Sequence, residues 1–155
     1  MITITKAKID DLDKLVDIDN MVIGSKNRRN IIQQSIQLEQ CLISKEEEEI
    51  TGFLIYDTNF FECAFISLII VSPSHRRKGF ASALINYMVT ISPTNKIFSS
   101  SNRSNVSMHK VFEKNEFIRS GIIENLDEGD PEIIYFNELP TEVSLFKRVK
   151  AVVQR

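Results

Sequence analysis

A short basic loop is the part of the chain whose residue types and spacing best suit chemistry. It reads Arg76-Arg77-Lys78-Gly79-Phe80-Ala81 and precedes a segment whose apolar residues recur at helical spacing. The first N–H groups of a helix have no intrahelical acceptor and carry the positive end of the helix dipole, so they stabilise a phosphate. Gly79 permits close backbone approach, Ala81 is small, and the cations add Coulomb attraction. The pattern predicts a phosphate site and favours it over a basic turn before an ordinary core helix.

Strand and helix patterns alternate around this loop. The four apolar residues 68–71 before it predict a central strand that is covered on both faces. After it, a helix is predicted to about Thr90, with an apolar stripe made of Ala81, Leu84, Ile85 and Met88. Further strands are predicted at residues 2–7, 40–44, 50–56, 61–71, 96–101, 117–124 and 132–137. Further helices are predicted after Asp10, over residues 30–37 and after Ser104, with Asp10 and Ser104 as caps. The acidic run Glu46 to Glu49 is interpreted as a solvated hairpin turn.

The loop and its surroundings resemble the acetyl-CoA motif of the GNAT N-acetyltransferases. The segment Val71-x-Pro73-x-x-Arg76-Arg77-x-Gly79-x-Ala81 is similar to that family's Gln or Arg, two residues, Gly, one residue, then Gly or Ala. Asn105, followed by Phe112 and Phe117, is similar in spacing to the family's Asn…Tyr…Gly-Phe segment. The resemblance covers residues 2–137. It implies an α/β fold with a mixed, mostly antiparallel sheet of about seven strands, helices on both faces and a V-shaped cofactor cleft.

The resemblance also implies which residues bind acetyl-CoA. Backbone groups of Ile69 and Val71 would pair with the pantetheine amides, and an N–H at Ile69 or Ile70 would polarise the thioester carbonyl. The Asn105 side chain would contact the pantetheine arm, and Phe112 would pack beside its end. The full set of implied cofactor-binding residues is Ile69, Ile70, Val71, Arg76, Arg77, Lys78, Gly79, Phe80, Ala81, Ser82, Asn105 and Phe112.

Three positions that handle protons in the family are filled differently here. The carboxylate of the fourth strand is replaced by Phe65, that of the fifth strand by Ser100, and the tyrosine acid by Phe112. The catalytic residues are therefore unknown from the sequence. Weak candidates for a proton acceptor or a substrate contact are Glu62, Glu39 and Tyr56, for which surface solvation or packing is the alternative.

Two functions are compatible with this pattern. The first is an acetyl-CoA-dependent N-acetyltransferase that acts on a primary amine, in a small molecule or a peptide, by direct attack on the thioester. The alternative is a non-catalytic acyl-CoA-binding sensor or regulator that kept the cofactor loop. Nucleic-acid binding is not favoured, because the net charge is −2, the pI is about 5.7 and the basic patch has no aromatic platform.

Composition excludes several other classes. No apolar run approaches the ~20 residues of a membrane helix, and the N-terminal residues do not resemble a signal peptide. We therefore expect a cytoplasmic protein without a membrane partner. No spacing suggests a metal site, and Cys41 and Cys63 are expected to be buried free thiols. His75 is expected near the phosphate, and His109 is expected to face solvent.

The last residues are interpreted separately from the rest. We predict an acetyltransferase domain over residues 1–138 and a helical extension over residues 139–155. Thr141 could cap this helix, whose apolar side is formed by Leu145, Phe146, Val149, Val152 and Val153. Such a stripe needs cover, from its own domain or from a second subunit, so a homodimer is expected. Binding to a membrane or another partner is the less favoured interpretation.

Overall fold

The computed structural model describes residues 1–138, so the predicted tail helix and its dimer interface lie outside the described residues. The strands are β1 Ile2–Lys6, β2 Cys41–Glu46, β3 Glu49–Phe60, β4 Cys63–Val71, β5 Lys96–Asn102, β6 Ile118–Ile123 and β7 Glu132–Glu138. The helices are α1 Leu12–Ile23, α2 Arg29–Gln37, α3 Phe80–Ile91 and α4 Val106–Lys114. The strands form one sheet in the order β1-β2-β3-β4-β5-β7-β6. The predicted α/β fold with a mixed, mostly antiparallel sheet of seven strands is confirmed.

The described chain divides into two compact units. The first consists of Met1–Tyr56 with Ser67–Tyr87, and the second consists of Asp57–Ile66 with the described residues from Met88 onward. Strands β3 and β4 and helix α3 each contribute residues to both units.

The first unit is built on antiparallel strands and an apolar core. Strand β1 pairs with β2, and β2 pairs with β3 down to Glu46↔Glu49. The predicted hairpin at the acidic run is therefore confirmed, with Glu47 at a φ of 56° in the turn. The buried core residues of this unit are Ala7, Leu12, Leu15, Val16, Ile18, Ile32, Ile36, Cys41, Ile43, Ile50, Phe53, Ile55 and Ile70. Helix α1 buries Leu12, Leu15 and Val16 at the predicted helical spacing.

A buried ion pair joins the first two helices. Asp19 is 1% exposed, and its carboxylate accepts a hydrogen bond from Arg28 Nε at 3.0 Å and another from the guanidinium NH2. Arg28 directly precedes α2, so the pair fixes the start of α2 against α1. A buried carboxylate is tolerated only when it is paired in this way.

The second unit is centred on β7, which lies between β5 and β6. Strand β7 pairs antiparallel with β5 from Lys96↔Glu138 to Asn102↔Glu132, and antiparallel with β6. Strand β4 pairs parallel with β5 over three residue pairs, which end at Ile66↔Ser99. Strand β4 itself continues to Val71.

Two predicted helix caps are wrong. Asp10 lies inside a short 3₁₀ turn, and the carboxylate of Asp11 instead accepts the Lys8 N–H at 2.8 Å. The cap of α4 is Asn105, whose side-chain oxygen accepts the Met108 N–H at 3.3 Å. Ser104 stands one residue too early for that role, and its hydroxyl donates to Asp130 at 2.6 Å. The turn before β7 therefore engages the Ser104 side chain, while Asn105 caps the helix.

Candidate cofactor site

Strand β4 leads into the basic loop and buries only one of its faces. Ala64, Ile66 and Ile70 are buried on one face, whereas Ile69 and Val71 are half-buried on the other and Ser67 is exposed. The prediction that this strand is central is confirmed by the sheet order, whereas the end of its second face is half-buried rather than fully covered. Apolar side chains at every position show that both faces can be covered, but the packing of distant segments decides whether they are.

The end of β4 is fixed by an unusually close approach of β3. A Cβ added at Gly52 would lie 2.6 Å from the Ile70 carbonyl oxygen and 3.2 Å from the Val71 Cα. Directly after β4, the Ser72 N–H donates to the Thr51 carbonyl at 2.8 Å. Only glycine allows this approach, so Gly52 positions the backbone from which the loop departs.

The loop adopts left-handed backbone conformations at two positions. After the 3₁₀ turn Pro73–His75, Arg77 has a φ of 63° and Gly79 a φ of 88°. A Cβ added at Gly79 would meet no atom within 4 Å, so the space in front of this residue is open. Gly79 thus combines a conformation that favours glycine with an accessible backbone.

Helix α3 begins directly after Gly79. The Ala83 N–H donates to the Gly79 carbonyl at 3.0 Å, which closes the first helical turn. The N–H groups of a first helical turn have no intrahelical acceptor and point along the axis. Phe80 is 2% exposed and, with Leu84, Ile85 and Met88, anchors α3 in the interior. The predicted stripe is confirmed, except that Ala81 is half-buried.

Three consecutive cations of the loop lie just before this helix start. The side chains of Arg76, Arg77 and Lys78 are exposed. Within residues 1–138, none of the three forms an ion pair with a carboxylate within 4.0 Å. Their charge is therefore not neutralised by the described protein and remains available to an anion.

His75 contacts three protein side chains, and its expected position near the phosphate stays a prediction. Its Nδ1 lies 3.0 Å from the Ser74 hydroxyl, and its Nε2 lies 3.8 Å from a carboxylate oxygen of Glu49. The ring also packs edge-on against Phe80, with 5.9 Å between the ring centroids. The structure therefore gives His75 a packing role at the base of the loop.

In the second unit, the two residues expected near the pantetheine have clear local roles. Asn105 is exposed, and its side-chain oxygen accepts from the Met108 N–H and from the Ser107 hydroxyl at 3.1 Å. Phe112 is 1% exposed and stacks on Tyr135, with 4.7 Å between the ring centroids. The cofactor contacts of both residues stay predictions, and Phe112 is first of all a core residue.

His109 does not face solvent, and the prediction that it does is wrong. It is 7% exposed, and its Nδ1 lies 2.6 Å from the Tyr135 hydroxyl. Its Nε2 lies 3.0 Å from the carbonyl oxygens of Asn102 and Arg103. The helical pattern of α4 shows only apolar residues as core candidates, and it cannot show that β7 brings a hydroxyl partner for the imidazole.

The positions of the missing acid and base groups are explained in part by packing. Phe65 packs against Phe60, with 4.9 Å between the centroids. Phe60 packs on Phe98 at 5.0 Å, and Phe98 on Phe136 at 5.2 Å, so a row of phenylalanines crosses this part of the sheet. A carboxylate in place of Phe65 would lie next to apolar rings.

Ser100, which occupies the second of these positions, contacts a carboxylate of another strand. The Ser100 hydroxyl donates to Oε2 of Glu132 at 3.1 Å. Glu132 was not identified from the sequence, because it lies 32 residues away and only the register of β5 and β7 brings the two together. No local signal marks it.

The three residues that the sequence suggested as proton acceptors or substrate contacts differ in their exposure to solvent. Glu39 and Glu62 are exposed residues with left-handed backbone, at φ 57° and 63°. Tyr56 is 9% exposed, and burial, followed by the charge of Glu39, raises the pKa of its hydroxyl above the ordinary value. A phenol with a raised pKa keeps its proton at neutral pH, so Tyr56 is a poor proton acceptor.

The described residues contain neither a candidate metal site nor a membrane-spanning helix. Among residues 1–138 there is no group of three or more His, Cys, Asp or Glu side chains that could hold a metal ion. Over the same range, no helix is both long and apolar enough to cross a membrane.

Comparisons with known proteins place this fold and loop in one family. The model of the Acetyltransferase (GNAT) family matches residues 14–117. A GNAT-family acetyltransferase from Bacillus cereus ATCC 10987 is 61% identical, with a TM-score of 0.88 over 90% of this chain and 99% of that chain. The chain belongs to the GNAT acetyltransferase family.

More distant structures share the fold. The ribosomal-protein-S18-alanine N-acetyltransferase from Escherichia coli is 18% identical, with a TM-score of 0.77 over 89% of this chain and 94% of that chain. The structure of yncA from Salmonella typhimurium with its cofactor acetyl-CoA is 15% identical, with a TM-score of 0.74 over 90% and 94% of the two chains. A search of curated proteins found no match.

Proposed function

We propose that this protein transfers the acetyl group of acetyl-CoA to a primary amine of a small molecule or a peptide. The observation that carries the proposal is the start of α3. There, Gly79 has a φ of 88° and open space in front of it, beside three exposed cations. Such a helix start binds a diphosphate through backbone N–H groups. Membership of an acetyltransferase family supports the same donor.

The residues present suit a bound acetyl-CoA. Its diphosphate would lie against the N–H groups from Arg77 to Ser82, with Arg76 and Lys78 compensating its charge. The β4–β5 ladder ends at Ile66, and beyond it the backbone groups of Ile69 and Val71 would pair with the pantetheine amides. When bound, acetyl-CoA supplies an acetyl group activated as a thioester.

The transfer itself needs few protein groups. The amine nitrogen forms a bond to the acetyl carbon, the carbon–sulfur bond breaks and the thiolate of coenzyme A leaves. An alkyl ammonium has a reference pKa of about 10.4, so it must first lose a proton at neutral pH. A backbone N–H at Ile69 or Ile70 would stabilise the charge that develops on the carbonyl oxygen.

The location we propose is the cytoplasm. Cys41 and Cys63 are both free thiols, and disulfides are rare in reducing compartments. Fractionation of the native host with an antibody to the full chain would test this.

One observation favours the alternative function, an acyl-CoA-binding sensor. The positions of the fourth-strand carboxylate and of the tyrosine acid are occupied by Phe65 and Phe112, and both side chains pack against aromatic rings. A sensor would retain the loop and need neither acid nor base.

A turnover assay separates the two functions. Release of free thiol from acetyl-CoA is followed with simple amines, polyamines, aminoglycosides and peptide N-termini, and acetyl-CoA binding is measured by calorimetry on the same sample. We expect binding together with turnover of at least one amine class. Tight binding with no turnover on every class would replace the transferase by the sensor. Absence of binding would contradict both functions.

A further inference from the structure

His75 connects three elements of the first unit at the base of the basic loop. It directly precedes Arg76, the first cation of that loop. Its Nε2 lies 3.8 Å from a carboxylate oxygen of Glu49, the first residue of β3. Its ring packs edge-on against Phe80, the first residue of α3. All four residues belong to the first unit, so a change at His75 can reach the helix start through direct contacts.

Strand β3 is also held against the start of the loop by its backbone. The Ser72 N–H donates to the carbonyl of Thr51, two residues after Glu49 in the same strand, at 2.8 Å. At the next residue, Gly52, the two strands come so close that a Cβ would lie 2.6 Å from the Ile70 carbonyl oxygen. The contact between Glu49 and the imidazole therefore rests on a fixed stretch of backbone.

The imidazole itself is restrained on both sides. The His75 side chain is 13% exposed, and its Nδ1 lies 3.0 Å from the Ser74 hydroxyl. The His75 N–H donates to the Ser72 carbonyl at 2.8 Å, which closes the 3₁₀ turn. A hydroxyl can donate or accept, and a carboxylate accepts. When the ring is protonated, Nδ1 can therefore donate to Ser74 while Nε2 faces the carboxylate of Glu49.

Protonation of this ring changes the electrostatics beside the helix start. The titratable group that faces the ring is Glu49, from β3, whereas α3 faces it with the apolar ring of Phe80. A neutral imidazole leaves the negative charge of Glu49 uncompensated next to the first residue of α3, and a protonated one compensates it. Imidazole is the side chain whose charge ordinarily changes between pH 5 and 8.

We propose that His75 positions the basic loop for the diphosphate of acetyl-CoA and makes this binding depend on pH. The inference rests on the proposed function and adds a positioning residue to it. Contact with Phe80 fixes the loop on α3, and protonation of the ring offsets the charge of Glu49. The helix start then attracts the diphosphate more strongly as the pH falls from 8 to 6. No covalent bond changes, and the bound diphosphate favours uptake of a proton by the ring.

The test compares the dissociation constant of acetyl-CoA for the parent and for His75→Phe, by calorimetry at pH 6 and pH 8 and constant ionic strength. Phenylalanine keeps an aromatic ring against Phe80 but cannot take up a proton. The 3′-phosphate of the coenzyme also titrates near pH 6, but it does so with both proteins. We expect the ratio of the affinities at pH 6 and pH 8 to be about two- to fivefold larger for the parent, the effect of one charge at a helix terminus.

Two carboxylate variants test the pairing with Glu49. Glu49→Gln removes the carboxylate that contacts the ring, so we expect acetyl-CoA to bind about two- to fivefold more tightly than to the parent at pH 8. Glu48→Gln is the matched control, because both carboxylates are exposed but only Glu49 lies within 4.0 Å of the ring among the described residues. Its affinity should stay within about 1.5-fold of the parent's, since exposed charges are screened. If His75→Phe does not fold, as judged by circular dichroism, His75→Gln takes its place with the same loss of pH dependence.

The outcomes keep the inference and the proposed function distinguishable. The same affinity ratio in the parent and in His75→Phe would refute the role of the imidazole charge and leave the acetyl-CoA site in place. An affinity that falls equally at both pH values in His75→Phe would show packing alone and also refute it. Equal effects of Glu49→Gln and Glu48→Gln would refute the pairing. A parent that does not bind acetyl-CoA at either pH would contradict the proposed function, and the inference with it.

Discussion

Nδ1 of His109 and the hydroxyl of Tyr135 lie 2.6 Å apart in the interior of the second unit. Nε2 of the same ring faces two carbonyl oxygens at 3.0 Å, so this nitrogen carries the hydrogen. In the neutral ring Nδ1 is then an acceptor, and Tyr135 is its donor. Helix α4 is thereby tied both to β7 and to the end of β5.

This hydrogen bond should be measurable in the stability of the protein. We expect Tyr135→Phe to lower the free energy of unfolding by about 1–3 kcal/mol, because Nδ1 loses its only donor among the described residues while remaining buried. The aromatic stack on Phe112 would survive the change. Urea unfolding of Tyr135→Phe, His109→Ala and the double variant forms a mutant cycle. Strictly additive effects would contradict the bond.

We expect acetyl-CoA binding to depend on the absence of a side chain at Gly79, in addition to the backbone conformation of this residue. Gly79→Ala and Gly24→Ala introduce a Cβ at similar φ values, 88° and 73°, and in both cases the Cβ meets nothing within 4 Å. The backbone strain is therefore matched, at about 1–2 kcal/mol. We expect acetyl-CoA affinity, measured by calorimetry, to fall at least about tenfold (about 1.4 kcal/mol) in Gly79→Ala only. Equal affinities for the two variants would place the diphosphate elsewhere.

Because β3 approaches β4 closely at Gly52, we expect an alanine there to destabilise the protein much more than an alanine at Gly121. In Gly52→Ala the new Cβ would lie 2.6 Å from the Ile70 carbonyl oxygen, so one strand must shift. We expect a loss of about 1–3 kcal/mol in unfolding free energy and weaker acetyl-CoA binding, because the loop departs from the displaced end of β4. Gly121→Ala in β6 meets nothing within 4 Å and serves as the control. Similar thermal stabilities for both variants would disprove the tight approach.

The two thiols should differ in reactivity. Burial, partly offset by a hydrogen bond with Ser35, raises the pKa of the Cys41 thiol from 9.0 to about 12. Cys63 is half-buried rather than buried, so the sequence-based expectation is confirmed for Cys41 alone. At pH 8 we expect a thiol reagent to label one cysteine per folded chain and two per unfolded chain. Labelling of Cys41 at the rate of Cys63 would argue against its burial.

Cys41 also sets a dependence of stability on pH. Its pKa is higher in the folded state than in the unfolded state, so the unfolded chain ionises first as the pH rises. The stabilisation is fully present below pH 9.0 and is lost progressively between pH 9.0 and about 12. Between pH 8 and 10.5, the unfolding free energy of the parent should therefore fall more steeply than that of Cys41→Ala. Parallel curves would show that the thiol does not contribute.

The basic loop and the order of elements could be predicted from the sequence because their signals are local. The glycine, the cations and the apolar stripe of α3 follow one another directly, and each acts through its own backbone geometry. The Glu46–Glu49 hairpin was equally evident, since acidic residues between two apolar strands favour solvent. These features need no knowledge of which distant segments meet.

The Ser100–Glu132 contact and the buried histidine could not be predicted in this way. Glu132 reaches Ser100 over a separation of 32 residues, and Tyr135 reaches His109 over 26. Both contacts depend on the register of β7, in which a shift of one residue would move every side chain to the other face. The sequence by itself determined the basic loop before α3 and the α/β order. Only the tertiary structure decided which polar groups meet, because strand register is fixed by the packing of the whole sheet.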